Sequence, residues 1–172
     1  MLRKVYRARG HMLVFRDERH VDGDLFNAPE TYKVITINCV GAMGKGIALA
    51  CRERYPDLYE NYRARCRAGE ITIGHVYLYE EEKIILLPTK THFKMRSELS
   101  FVTSGIDALA DLGRDLNDSI AIPPLGMVNG WMKWKERVEV YHHLYNRLQP
   151  GETNYRVYLP LALITEAKKA LI

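Results

Sequence analysis

A chain of 172 residues, 47% of them hydrophobic, is long enough to bury one substantial core and too short for two ordinary domains. Its formal net charge of +4 permits a polyanionic partner without requiring one. Its three cysteines, Cys39, Cys51 and Cys66, form no Cys-x-x-Cys pair, which argues against both a zinc site and a disulfide framework.

No run of residues approaches the roughly 18 unbroken apolar positions of a membrane helix. The basic start, Met1 to Gly10, is not followed by the apolar core of a secretion signal. A soluble cytoplasmic protein with no membrane partner is the expectation. No repeat, low-complexity tract or linker divides the chain, so residues 1–172 read as a single domain, with 1–22 an N-terminal extension leading into the first strand.

Arg3, Lys4, Arg7 and Arg9 suit either a basic arm for phosphates or, more simply, a solvated terminus. His11 to Arg16 reads as a short strand. Val34-Ile35-Thr36-Ile37-Asn38-Cys39 is β-branched and almost continuously apolar, the mark of a strand covered on both faces. Gly41 to Gly46 then leads into a helix start at Ile47 to Cys51. Pro56 opens a second helix that Gly69 closes.

His75 to Tyr79 and Ile84 to Pro88 read as a hairpin around the acidic turn Glu80-Glu81-Glu82. Leu99, Val102, Ile106, Leu109, Leu112 and Leu116 recur at helical spacing, and Ser119 to Pro123 is another short buried strand. Trp134, Val138, Tyr141, Tyr145 and Leu148 form a second helical stripe, assigned to the core. Asn154 to Pro160 closes the sheet and Thr165 to Ile172 ends the chain as a helix. Helices alternating with buried strands imply an α/β fold, a three-layer α/β/α sandwich around a central mixed sheet.

Three glycine-bearing or polar segments follow three of these strands, and strand C-termini are where open α/β sheets place their ligands. The first, Gly41 to Gly46, has small residues that let backbone N–H groups approach phosphate oxygens, with a helix N-terminus behind them. It is not a P-loop, because Gly46 stands where Ser or Thr is needed and Cys39 where the first glycine belongs. Nor is it the dinucleotide fingerprint, because Leu49 occupies the third small position. Taken alone it is a phosphate cradle of another kind or a tight turn.

The second segment, Pro88-Thr89-Lys90-Thr91-His92-Phe93-Lys94, places Lys90 at a strand end. Burial in a cleft lowers an ammonium pKa and makes the amine a nucleophile or an acid/base, although most lysines are simply solvated. His92 is more often a packing residue than a catalytic one, and the adjacent His142 and His143 point about 100° apart on a helix and are no ligand pair. In the third segment, Pro123 to Trp131, glycines permit close approach to a phosphate or ribose, and Trp131 either stacks on a ligand ring or caps the core. Arg52, Arg54, Arg63, Arg65 and Arg67 fall on the helices after the first segment, beside the cleft or on ordinary solvated faces.

In this order the segments resemble the macro domain family and, within it, the DarG-type branch that removes ADP-ribose from DNA. Gly23-Asp24-Leu25 is similar to the family's Gly-Asp-Leu opening, and Asn38-Cys39-Val40-Gly41-Ala42-Met43-Gly44-Lys45-Gly46-Ile47-Ala48 to the branch's first ligand loop. Pro88-Thr89-Lys90 with His92 resembles the segment bearing that branch's essential lysine, and Pro123-Pro124-Leu125-Gly126 opens a match to the diphosphate loop.

Carried over position by position, the resemblance implies Asp24 and Leu25 at the adenine. Asn38, Cys39, Val40, Met43, Gly44, Gly46, Ile47 and Ala48 would bind along the first loop, and Thr89 and Lys90 on the second. Pro124, Leu125, Gly126, Met127, Val128, Asn129, Gly130 and Trp131 would bind on the third. Lys90 and Asn38 take the catalytic positions, with no metal and no cofactor.

The implied activity is hydrolysis of ADP-ribose from a modified base on DNA, with an ADP-ribosyltransferase toxin as the associated partner and a monomer favoured. Two alternatives keep the fold: processing of a small metabolite such as ADP-ribose-1''-phosphate, and non-catalytic reading of ADP-ribose. The chain departs from the branch where Val128 and Trp131 replace small residues. Gly130 stands where a carboxylate-directed branch carries an aspartate.

Overall fold

In a computed structural model the described residues are 13–128, 131–148, 151 and 153–172. The basic arm at Arg3, Lys4, Arg7 and Arg9, the first two residues of the expected strand at His11, and the ligand positions Asn129 and Gly130 lie outside them. The strands are β1 (Leu13–Asp17), β2 (Tyr32–Asn38), β3 (Tyr77–Tyr79), β4 (Ile84–Lys90), β5 (Ser119–Ile122) and β6 (Asn154–Leu159). The helices are α1 (Gly46–Arg54), α2 (Pro56–Arg67), α3 (Leu99–Leu116), α4 (Trp134–Arg147) and α5 (Leu161–Ala170).

One sheet runs in the order β1-β6-β5-β2-β4-β3, parallel throughout except for the antiparallel β3 at its edge. Because successive strand residues face opposite sides, β2 sends Tyr32 and Val34 into one core and Ile35 and Ile37 into another. The first core is closed by α3, α4 and α5 through Ile106, Leu109, Tyr141, Leu144 and Ile164. The second is closed by α1 and α2 through Cys51, Leu58, Tyr59 and Tyr62. The result is the expected three-layer α/β/α sandwich with a mixed sheet. Each fully buried Leu, Ile or Val contributes about 1.5–3 kcal/mol relative to exposure, so β2, buried at both faces, anchors the fold.

The structure corrects some boundaries. Two short 3₁₀ turns, Glu18–Val21 and Leu25–Asn27, carry too few residues for a periodic signal. The last helix begins at Leu161 rather than Thr165, because Pro160 cannot extend the ladder and instead provides the N-cap. Trp134, assigned to the core, is 59% exposed, whereas Tyr141 and Leu148 of the same stripe are buried and Val138 and Tyr145 are half-buried. The stripe's first member stands beyond the layer that α4 covers.

Candidate active site

Four neighbouring parallel strands end on one edge of the sheet, and the segments that leave them surround a cleft of about 820 Å³. That volume suits a drug-sized or nucleotide-sized ligand. The expected residues that line it are Asp24, Leu25, Asn38, Gly44, Gly46, Ile47, Ala48, Thr89, Lys90, Pro124, Gly126 and Val128. Among the described residues no group of three or more His, Cys, Asp or Glu side chains is arranged to hold a metal ion.

Asn38 organises the first loop. Its Oδ1 accepts from the backbone N–H of Val40 (3.1 Å) and Ala42 (3.2 Å) and from the Tyr62 hydroxyl (3.0 Å), while its Nδ2 donates to the Ala42 carbonyl at 2.8 Å. The Tyr62 hydroxyl also lies 2.7 Å from the Asn38 carbonyl. An asparagine is suited to this because its amide both accepts and donates within the reach of a turn. With three donors on the oxygen and one amide hydrogen committed, a single amide hydrogen is left for a ligand.

The loop ends at α1, whose first residue, Gly46, has φ +57° and open space where a Cβ would stand. Its N-cap Lys45 makes no side-chain cap hydrogen bond. The first-turn N–H groups of α1 thus have no side-chain acceptor at the N-cap, and the positive end of the helix dipole at the cleft wall suits an anion.

Lys90 reaches the same wall through an irregularity in the sheet. Pro88 in β4 has no N–H to give the ladder, and the β2–β4 register slips there, so Ile37 pairs with Pro88 but Asn38 pairs with Lys90. The two residues expected to act together therefore leave adjacent strands side by side. Burial holds the Lys90 ammonium below its usual pKa, and the Lys45 charge lowers it further. Two ammonium groups facing one cleft repel each other, a cost that a bound anion removes.

Asp24 caps the second 3₁₀ turn, with Oδ1 accepting from Phe26 N–H at 2.9 Å, and its Oδ2 lies 3.5 Å from the Arg54 guanidinium. Other expected positions are not part of the cleft wall. Met43, Leu125 and Met127 are buried in the cores. Cys39 packs against the α1/α2 core, where burial pushes its thiol pKa up, and Val40 points to solvent. Trp131 neither caps the core nor lines the wall: it is 69% exposed, with the Lys90 Nζ 5.8 Å from its ring centroid. The arginines of α1 and α2 do not line the cleft either. Arg52 and Arg63 lie over Tyr59, Arg54 over Phe26, and Arg65 over Tyr77 and Tyr79.

The wall also contains residues outside the expected ligand positions, among them Lys45, Phe93, Ser97 and Tyr158. Lys45 and Phe93 stood inside segments already singled out, and their side-chain direction was the missing information. Ser97 is fully buried, and its Oγ has no hydrogen-bond partner among the described residues. A buried hydroxyl left this way at a cleft wall marks a place for a ligand atom. Tyr158 comes from β6, remote in sequence, where its hydroxyl donates to Glu30.

Comparison with known proteins matches the macro domain family over residues 34–141. The DNA ADP-ribosyl glycohydrolase of Mycobacterium tuberculosis is 40% identical over 121 residues, covering 66% of this chain and 34% of that protein. The chain spans about a third of the length of the curated relatives it matches. Among solved structures, the macrodomain of Mycobacterium tuberculosis DarG is similar with a TM-score of 0.75 at 34% identity, covering 88% of this chain and 99% of that one. Thermosipho africanus DarTG in complex with ADP-ribose gives a TM-score of 0.71 at 28% identity, covering 87% of this chain and 42% of that one.

Proposed function

Starting from the fact that this chain belongs to the macro domain family, we propose that its cleft holds ADP-ribose and that it hydrolyses the bond between the distal ribose and a base on DNA. The observation that carries this reading is the placement of Lys90 beside Asn38 on adjacent strands, both lining the same cleft as a helix N-terminus without a side-chain cap. The names of the similar proteins, a DNA ADP-ribosyl glycohydrolase and an ADP-ribose complex, support it.

In this reading the N–H groups at the start of α1 and the third loop hold the diphosphate, and Lys45 adds charge. Binding there fixes the terminal ribose against Lys90, so that positioning and charge stabilisation supply most of the rate. The remaining amide hydrogen of Asn38 orients a ribose hydroxyl. The chemistry at the anomeric carbon needs only an amine and water, and the partner implied is the transferase that attaches the ADP-ribose. A depressed ammonium pKa suits two roles: the free amine attacks the anomeric carbon and displaces the base, after which water releases the sugar from the lysine, or the ammonium protonates the departing base while water attacks the anomeric carbon. The pH profile separates them. A rate that rises with pH through the Lys90 pKa identifies the nucleophile, and one that falls identifies the acid.

The deciding experiment incubates the protein with ADP-ribosylated thymidine oligonucleotide, ADP-ribosylated protein and ADP-ribose-1''-phosphate in parallel. Release of ADP-ribose from the oligonucleotide is expected. Turnover of the phosphorylated metabolite alone, or calorimetric binding of ADP-ribose with no turnover at all, would replace this reading with the metabolite or the reader function. Lys90→Ala should lower release by about 10²-fold or more while ADP-ribose affinity stays within a few-fold.

A further inference from the structure

Large apolar side chains left in water beside a ligand cleft point to a partner that covers them. Phe93, Met95, Trp131 and Trp134 are all more than half exposed, and they come from only two stretches of chain, residues 91–97 and 131–135. These stretches are neighbours in space. Arg96 of the first pairs with Glu136, just after the second, at 2.5 Å, and Phe93 and Val128 share the cleft wall. The Lys90 amine that reaches that wall is also 5.8 Å from the Trp131 ring centroid.

Cations are frequent here: Lys94, Arg96, Lys133 and Lys135 lie on these stretches, bordered by Glu98 and Glu136. Arg96 is committed to Glu136, while Lys94, Lys133 and Lys135 are exposed.

Trp131 adds a third observation: its φ is +58°, a left-handed backbone that a bulky residue adopts at a cost and a glycine adopts freely. Strain of this kind persists where the side chain is needed.

We propose that this rim is a docking surface for single-stranded DNA, with unpaired bases stacking on Phe93, Trp131 and Trp134 and phosphates held by Lys94, Lys133 and Lys135. Exposed rings interleaved with ammonium groups suit a single strand, whose bases present their faces, while a duplex hides those faces inside its own stack. The inference deepens the proposed function, because it supplies the contact to nucleotides flanking the one whose ADP-ribose enters the cleft. The surface itself rests on the exposure, charge and backbone of the rim.

The test measures binding of a fluorescently labelled, unmodified oligothymidylate, single-stranded and as a duplex with oligodeoxyadenylate, by anisotropy over a salt series. The protein should prefer the single strand. Phe93→Ala, Trp131→Gly and Trp134→Ala should each lower its affinity by about tenfold. Trp131→Gly should do so with an equal or higher thermal midpoint, which separates lost stacking from lost folding. Lys133→Gln with Lys135→Gln should flatten the log–log salt slope by about 1.4.

Equal affinity for duplex and single strand, or single-strand affinity untouched by the ring substitutions, overturns the proposal. Calorimetry with free ADP-ribose is run on the protein and on Trp134→Ala, which lies outside the cleft wall. Unchanged ADP-ribose affinity is expected for Trp134→Ala, and a loss matching the DNA loss would also overturn the proposal. If the unmodified protein binds the oligonucleotide but not ADP-ribose, the function proposed above fails while the rim stands.

Discussion

The two glycine loops that border the cleft are held in place by opposite means. The loop from Asn38 to Gly46 is fixed from within, by an asparagine side chain that satisfies its own backbone and is itself held by the Tyr62 hydroxyl. The loop from Pro123 is fixed from outside: Leu125 and Met127 plug the core, and Gly126 presses against Ser97 of a different segment. The first loop presents donors and little side chain. The second ends in Val128 and Trp131, both exposed. The lesson is that a phosphate-binding turn can keep its backbone while its rim is free to vary, provided the anchoring residues point the other way.

The strongest way to break this contrast is at Gly126. Its φ is +72°, and a Cβ placed there would lie 2.8 Å from both Cβ and Oγ of Ser97. Gly126→Ala therefore meets backbone strain of about 1–2 kcal/mol and a steric penalty of about 1–3 kcal/mol, and a loss near 3 kcal/mol is expected in denaturant unfolding. Adding Ser97→Gly should recover the steric part and leave the backbone part. If Gly126→Ala alone is neutral, the third loop is not anchored from outside as described.

At the first loop, Asn38→Ala removes the acceptor for two backbone N–H groups and one of the two acceptors of the Tyr62 hydroxyl, which keeps the residue 38 carbonyl. The expected loss is about 1–3 kcal/mol of stability, with ADP-ribose affinity falling by about tenfold in calorimetry because the loop is no longer set. Asn38→Asp keeps the acceptor but turns a negative oxygen toward the Ala42 carbonyl and toward an anionic ligand. Its affinity should fall further than its stability. An Asn38→Ala protein of full stability and affinity would show that the loop holds its shape without the side chain.

The contrast also explains what was legible in the sequence. Glycines, β-branched runs and the apolar stripe of α3, whose first and last members, Leu99 and Leu116, fall at the ends of the helix, are local signals that make the sandwich and both loops readable. The pairing of Asn38 with Lys90 was not legible. Pro88 is visible, but the ladder it interrupts belongs to a strand some fifty residues earlier. Side-chain direction was equally hidden: Met43, Leu125 and Met127 lie within matched segments yet face the cores, while Lys45 and Phe93 face the cleft. Trp134 shows the limit of periodicity, since a helical stripe says which face is apolar but not how far the covering layer extends.

The smallest expected effect falls at Ser97, where the two kinds of anchoring can be told apart. Its Cβ is what Gly126 packs against, and its Oγ is the part that lacks a partner among the described residues. Ser97→Ala keeps the Cβ and removes only the hydroxyl. Stability should stay within about 0.5 kcal/mol or rise slightly, since an unsatisfied buried polar atom is gone. ADP-ribose affinity should fall by about three- to tenfold, the worth of one neutral hydrogen bond. Unchanged affinity in calorimetry would reduce Ser97 to a spacer for Gly126, and the third loop would then contribute backbone alone to the ligand.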